Sequence, residues 1–306
     1  SALWKVYAGM TILQIVLLIA GGMNGFDAIC NSFSTLAAGG FSPNPESTMG
    51  YHSNYISWIM LIFMFLAGAS FNVQYRSIVQ KNPIILFKNE EFKMYFFLVM
   101  LMALLITVSL IINTHSTVFQ GFTDALYQVI SITTSTGSAS VDFINWDYTS
   151  KLLLFMVMFM GSCAGSAGGG IKMVRWLIVF KAMKSELLRI LHPNAIINIK
   201  IDNKTIAPEI VRQIVVFIFY YFVIFAVSAT IIALVENNGT LGLSSSITSL
   251  GNVGPGFTYL TGPMANFDNI HGFSKIIMIF NMLVGRLELI PFLVMLQKDF
   301  WTLKDN

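Results

Sequence analysis

Cysteine is scarce in this chain: among 306 residues only Cys30 and Cys163 occur. Both fall in membrane-type stretches, which excludes a disulfide framework, and they carry no metal-type spacing. Charge is scarce as well. Only 11% of residues are Asp, Glu, Lys or Arg, against about 25% in an ordinary soluble protein. The four histidines, His52, His115, His192 and His271, are scattered. With no cluster of His, Cys or carboxylates at membrane depth, the chain is read as not an enzyme, with no metal, no cofactor and no nucleic-acid partner. What is abundant is apolar surface. Hydrophobic residues make up 55% of the chain and Phe alone occurs 26 times, with a mean hydropathy of +0.71. These values define an all-α integral membrane protein.

The stretch Asp124–Ser138 organises the rest. An amphipathic half-helix runs into hydroxyl residues and stops at Gly137. It is too short and polar to cross a bilayer, which takes about 20 apolar residues. Apolar runs that are long enough flank it on both sides. Irregular backbone at that depth survives only where it lines a water-filled path or is buried in protein, so the stretch reads as a re-entrant pore loop. The pattern recurs. Asp27 stands 13 positions before Gly40, as Asp124 stands 13 before Gly137. A weaker copy, Ser244–Gly254, lacks the Asp but ends in the same small-polar step to glycine. Internal repetition carries more weight than any one motif.

In chain order the reading is span (Trp4–Met23), pore loop (Gly25–Ser42), span (Tyr55–Tyr75); then span (Phe92–Ile112), pore loop (Gly121–Ser140) and a span from near Lys151 that is interrupted at Gly161–Gly170; then span (Ile210–Leu234), pore loop (Thr240–Phe257) and span (Phe273–Leu296). The units are placed at residues 1–80, 81–205 and 206–306. Lys and Arg crowd the linkers between units, including Arg76, Lys81, Lys88 and Lys93. Asp and Glu dominate the pore-loop side, including Asp27, Asp142 and Asp147. The positive-inside rule then predicts cytoplasmic linkers and an outward pore mouth. The opening residue is Ser1 rather than Met, and the start reads as the middle of a longer protein.

A dehydrated alkali cation needs several oxygen ligands at fixed distances. Backbone carbonyls supply them, and glycine permits the dihedrals that aim them inward. Gly40, Gly137 and Gly254 are the candidate glycines. Ala38, Gly39, Ser135, Thr136, Asn252 and Val253 precede them and offer the carbonyls. The alternative, Gly-rich turns between packed helices, suits one loop better than three copies at matched places. Five glycines in ten residues, Gly161, Gly165, Gly168, Gly169 and Gly170, cannot hold a stable helix, since each costs about 1 kcal/mol against Ala. They predict a flexible gate beneath the filter; close helix crossing is the alternative. Arg286 and Glu288 sit inside the last apolar run, where an ionisable residue is costly and marks function; snorkelling to the membrane face is the alternative. Lys172 and Arg175 lie just past the gate, and an interfacial placement suits them equally. The basic stretch Lys181–Lys204 offers a docking face for a protein partner or for anionic membrane lipid.

Four segments together resemble the Trk/Ktr/HKT superfamily of K⁺ transporters, and most closely its TrkH-type pore-forming membrane subunits: Asp27–Ser42, Gly161–Lys172, Asn252–Gly256 and Gly285–Glu288. The resemblance implies a pseudo-fourfold pore of four span–loop–span units, of which three are present here and the first is missing. It implies K⁺ uptake across the cell (inner) membrane, in some members with Na⁺ or H⁺ coupling, by a homodimer gated by a cytoplasmic nucleotide-binding ring. It also places Arg286 in the pore as a positive plug beside the gate. Ser138 stands where the family usually has an aromatic residue, and Ser135 replaces a usual Thr. The first change predicts lost packing behind the filter and opens the choice between K⁺ and Na⁺. A Na⁺-selective or unselective channel and a non-conducting membrane scaffold are the rival readings.

Overall fold

The computed structural model describes residues 2–114, 117–192, 197–287, 291, 294, 295 and 300. The first unit holds α1 (Ala2–Ala20), α2 (Gly25–Leu36), α3 (Asn54–Gly68) and α4 (Phe71–Val79). The second holds α5 (Ile84–Lys88), α6 (Glu90–Thr114), α7 (Val118–Thr133), α8 (Tyr148–Met158) and α9 (Met173–Leu191). A two-residue-per-strand hairpin, β1 (Lys200–Ile201) with β2 (Lys204–Thr205), leads to the third unit: α10 (Pro208–Glu236), α11 (Gly239–Leu250) and α12 (Gly272–Arg286).

Among the described residues, α6 and α10 are each long and apolar enough to cross a bilayer. Their outer faces stay apolar: Leu104, Val108 and Ile112 on α6, and Phe219 and Val227 on α10, are exposed. Such a surface suits hydrocarbon and would be a liability in water. The inner faces of α3, α6, α7 and α8 close one core around Met64, Tyr95, Ile106, Tyr127 and Leu154, all fully buried.

Two spans differ from the sequence reading. The span expected over Tyr55–Tyr75 breaks after Gly68, and α3 and α4 meet at 100°. The Ala67–Ser70 run does give a close approach, with Gly68 against the Tyr95 and Thr134 side chains. It also ends the helix, because Ala69 and Ser70 are extended. In the last span, expected over Phe273–Leu296, α12 ends at Arg286 with Leu287 as the cap; of the expected remainder, residues 288–290, 292, 293 and 296 lie outside the described residues.

The three half-helices α2, α7 and α11 are held by the spans around them. Two share an N-cap: Asn24 accepts from the Asp27 N–H at 2.8 Å, and Asn238 from the Leu241 N–H at 3.0 Å. A side-chain oxygen at that position satisfies one of the free donors of a first turn.

Candidate pore and gate

All three half-helices end in one hydrogen-bond pattern. In the first loop the Ala38 N–H donates to Thr35 O and the Gly39 N–H to Ser34 O; in the second, Ser135 donates to Ile132 O and Thr136 to Ser131 O; in the third, Asn252 donates to Ser249 O and Val253 to Thr248 O. This is the Schellman ending, which requires a left-handed residue just past the helix. Ala38, Ser135 and Asn252 occupy it, at φ of 54°, 57° and 53°. Two residues on, Gly40, Gly137 and Gly254 are left-handed again, at 73°, 75° and 99°. A left-handed Ala or Ser is strained. Its recurrence at matched positions, closed each time by the same pair of short-range hydrogen bonds, shows that the helix ending itself requires it.

The turns pack edge to edge. A Cβ placed on Gly40 would lie 1.8 Å from Thr136 O, and one on Gly137 would lie 2.2 Å from Val253 O. Each glycine therefore abuts the carbonyl that precedes the next unit's glycine. A Cβ on Gly254 meets nothing within 4 Å. Gly39 and Gly254 are exposed, whereas Ser135 and Thr136 of the middle turn are buried. Among the described residues, the carbonyls of Ala38, Gly39, Ser135, Thr136, Asn252 and Val253 accept no hydrogen bond. The α2, α7 and α11 C-termini stand behind them and add negative potential.

Ser138 shows where the sequence reading needs correcting. No packing is missing behind the middle turn, because Tyr127 of α7 fills that space, fully buried. Its hydroxyl lies 2.9 Å from Ser138 Oγ and 2.7 Å from Thr48 Oγ1, and Thr48 Oγ1 lies 2.8 Å from Ser138 Oγ. The Ser131 hydroxyl donates to Ser138 O at 2.5 Å. An aromatic ring from the half-helix and four joined hydroxyls, those of Ser47, Thr48, Tyr127 and Ser138, brace the turn.

Below the turns, residues 159–172 form no helix. The loop is tied at its neck, where the Gly161 N–H donates to Ile171 O and the Met173 N–H to Ser162 O. Glycine is required here at Gly161, whose Cβ would sit 2.7 Å from the carbonyls of Gly169 and Ile171. The loop's upper edge lies against the inner ends of two turns. In the middle turn, Ser135 Oγ accepts from the Gly169 N–H at 3.1 Å and Thr134 O would lie 2.6 Å from a Cβ on Gly168; in the third, Gly251 O would lie 2.9 Å from a Cβ on Gly169. Gly165 and Gly170 are left-handed, at 74° and 70°.

The break between α3 and α4 is the loop's dock. A helix end leaves its last four carbonyls unpaired, and all four of α3 find partners. Phe65 O accepts from the Tyr95 hydroxyl, and Leu66 O accepts from Gln74 Nε2 at 2.7 Å. Ala67 O accepts from the Ala167 N–H and Gly68 O from the Cys163 N–H at 2.9 Å. The Phe71 N–H, at the start of α4, donates to Gly165 O. The glycine-rich loop thus caps a broken helix.

Three charged side chains touch the loop. Glu91, 7% exposed, accepts from the Ala164 N–H at 2.5 Å and the Val174 N–H at 3.1 Å through one oxygen, Oε1. The Lys172 ammonium donates to Gly168 O. Arg286 donates to Ala167 O at 3.3 Å, from the last residue of α12. Arg175 turns away and lies over the Phe217 ring, 3.9 Å from its centre. Glu91 escaped the sequence reading because it sits beside Glu90 at a span's end and looks interfacial. Glu288, Lys298 and Lys304 lie outside the described residues.

Among the described residues no group of His, Cys, Asp and Glu could hold a metal ion. Fold and site together define a helical membrane protein whose re-entrant half-helices present backbone carbonyls above a glycine-rich intramembrane loop. A model of a cation transport protein family, TrkH, matches residues 1–301. The Trk system potassium uptake protein TrkH of Escherichia coli K12 is 32% identical over 302 residues, covering 98% of this chain and 62% of that protein. The TrkH of Vibrio parahaemolyticus is likewise 32% identical, over 307 residues and the same shares. The crystal structure of the potassium transporter TrkH from Vibrio parahaemolyticus superposes with a TM-score of 0.90 at 31% identity, covering 98% of this chain and 64% of that one. The chain belongs to the TrkH family of cation transport proteins. It spans about three-fifths of the length of these relatives.

Proposed function

We propose that this chain forms three walls of a potassium-uptake pore, with residues 159–172 as its gate. The observation that carries the reading is the set of six unbonded carbonyls on three matching turns that pack edge to edge. A K⁺ ion leaving water exchanges its hydration shell for such oxygens. The potassium-uptake names of the relatives support K⁺ as the cargo. The filter is Ala38–Gly40, Ser135–Gly137 and Asn252–Gly254, and the walls are units 1–80, 81–205 and 206–306. A fourth turn, in the same polypeptide or a partner, would set its glycine against Gly39 O and its carbonyl against Gly254, the two exposed edges.

Gly161, Gly165, Gly168, Gly169 and Gly170 give the loop its dihedrals and close contacts, and Lys172 and Arg286 hold it under the filter. An ion passes when the loop leaves its dock. The filter mouth faces outward and the basic linkers face the cytoplasm of a cell (inner) membrane. Function as a homodimer, a cytoplasmic nucleotide-binding ring as regulator, and Na⁺ or H⁺ coupling belong to the same reading.

The test is Gly137→Ala in the full subunit, with Gly239→Ala as control. A Cβ at Gly137 meets Val253 O at 2.2 Å in a left-handed turn, whereas one at Gly239 meets nothing within 4 Å. ⁸⁶Rb⁺ uptake is expected to disappear in the first and persist in the second. Equal uptake by both removes the filter assignment.

A further inference from the structure

On the linker side, a cavity of about 390 Å³ opens between α4, α5, the first turn of α6 and the β1–β2 hairpin. Its charged lining comprises Arg76 on α4, Lys88 on α5, Lys93 and Glu90 on α6, and Asp202 at the hairpin tip. Both carboxylates are already committed. Asp202 accepts from Asn89 Nδ2 at 2.6 Å and from the Glu90 N–H at 2.9 Å, and Glu90 pairs with Lys181. The three cations come from three different helices, and none has an ion pair or side-chain hydrogen bond among the described residues. Lys181 offsets Glu90, and Asp202, bonded only to neutral donors, keeps one negative charge, so three cations face a single carboxylate and the surplus positive charge favours an anion between them. A phosphate oxygen set matches an Arg fork flanked by ammonium groups. The helices that supply the cations also expose apolar side chains, Ile78 on α4 and Ile84 and Phe87 on α5, a surface that suits acyl chains better than water.

We propose that this cavity binds the phosphate of an anionic phospholipid head group, held by Arg76, Lys88 and Lys93. The site also reaches the gate. Phe71, which opens the helix bearing Arg76, donates to Gly165 O, and Glu91, two residues before Lys93, holds Ala164 and Val174. A head group bridging Arg76 and Lys93 clamps α4 to α6, the two elements on which the gate loop is docked. This second step rests on the gating function proposed above; the binding step does not.

The test uses the full subunit in detergent, titrated with phosphatidylglycerol, phosphatidylcholine or inorganic phosphate and read by native mass spectrometry. Arg76→Gln/Lys88→Gln/Lys93→Gln is compared with Lys5→Gln/Lys275→Gln, a control outside both the cavity and the basic stretch Lys181–Lys204. Phosphatidylglycerol is expected to bind the unaltered protein and the control alike and the triple variant at least tenfold more weakly, with phosphatidylcholine binding weakly to all. Equal phosphatidylglycerol binding by the triple variant and the control overturns the site. Binding of inorganic phosphate with no preference between the two lipids assigns the cavity to a soluble phosphate and overturns the lipid. ⁸⁶Rb⁺ flux through the same proteins reads the second step separately. Faster resting flux in the triple variant supports the clamp, and lost lipid binding with unchanged flux overturns the clamp alone.

Discussion

If residues 159–172 gate the pore as proposed, Glu91→Gln isolates how strongly that loop is docked. Glu91 is buried at the start of α6, and both of its hydrogen bonds arrive at one oxygen. The donors, Ala164 and Val174, lie on either side of Gly165–Gly170, so the carboxylate ties the middle of the loop to the first turn of α9. Glutamine keeps the volume and can present its amide oxygen at the same point, losing only the charge. A hydrogen bond to a charged group is worth about 1.5–3 kcal/mol, and a neutral one about 0.5–1.5 kcal/mol. Two bonds therefore weaken by about 2–3 kcal/mol in total. At about 1.4 kcal/mol per tenfold, the docked loop loses about 30- to 140-fold in population relative to the undocked one. The gain in flux is the smaller of that factor and the ratio of open to resting flux. The assay is ⁸⁶Rb⁺ uptake into vesicles holding the full subunit, with the unfolding midpoint measured alongside. Uptake by Glu91→Gln equal to the unaltered protein, with an unchanged midpoint, refutes the argument that this carboxylate keeps the loop in place.

Arg286→Gln removes a single charge-assisted contact to Ala167 O; at about 1 kcal/mol it is expected to raise resting flux about fivefold, less than Glu91→Gln, as measured in the same vesicles. Tyr127→Phe keeps the ring behind the middle turn but removes a hydroxyl shared by Thr48 and Ser138. Those two still bond each other, so the stability loss is about 1 kcal/mol, while Na⁺ competition against ⁸⁶Rb⁺ uptake is expected to rise as the turn loosens; unchanged competition detaches the hydroxyl network from selectivity. Gly161→Ala forces a methyl between the Gly169 and Ile171 carbonyls and is expected to open the loop's neck, read as faster protease cleavage within residues 159–172.

The three turns at the half-helix ends were legible in the sequence because their geometry is local. Each Schellman ending closes through hydrogen bonds spanning a few residues, so the same small-polar-to-glycine step produces the same turn at Gly40, Gly137 and Gly254. The interruption at Gly161–Gly170 was legible for a similar reason: a run this rich in glycine disfavours helix wherever it lies. The helix break at Ala69–Ser70 was not. Ala67-Gly68-Ala69-Ser70 is equally good at letting helices approach, and nothing local distinguishes crossing from breaking. The break is stabilised by donors from Cys163 and Ala167 and by Gln74 folding back. Tyr127 was overlooked because a buried aromatic on a half-helix has no local signal of what it stands behind.

By itself the sequence determined a membrane protein of repeated span–loop–span units, the glycines that turn each loop, and the segment that could not remain helical. Those properties follow from hydropathy and from backbone dihedrals, which each residue largely carries with it. Only the tertiary structure decided which glycine meets which carbonyl, that the glycine-rich loop serves as the cap of a broken helix, and that Glu91 bonds it there. Such pairings join groups far apart in the chain. They exist only once packing has excluded water and left each buried N–H and C=O to find a partner within reach.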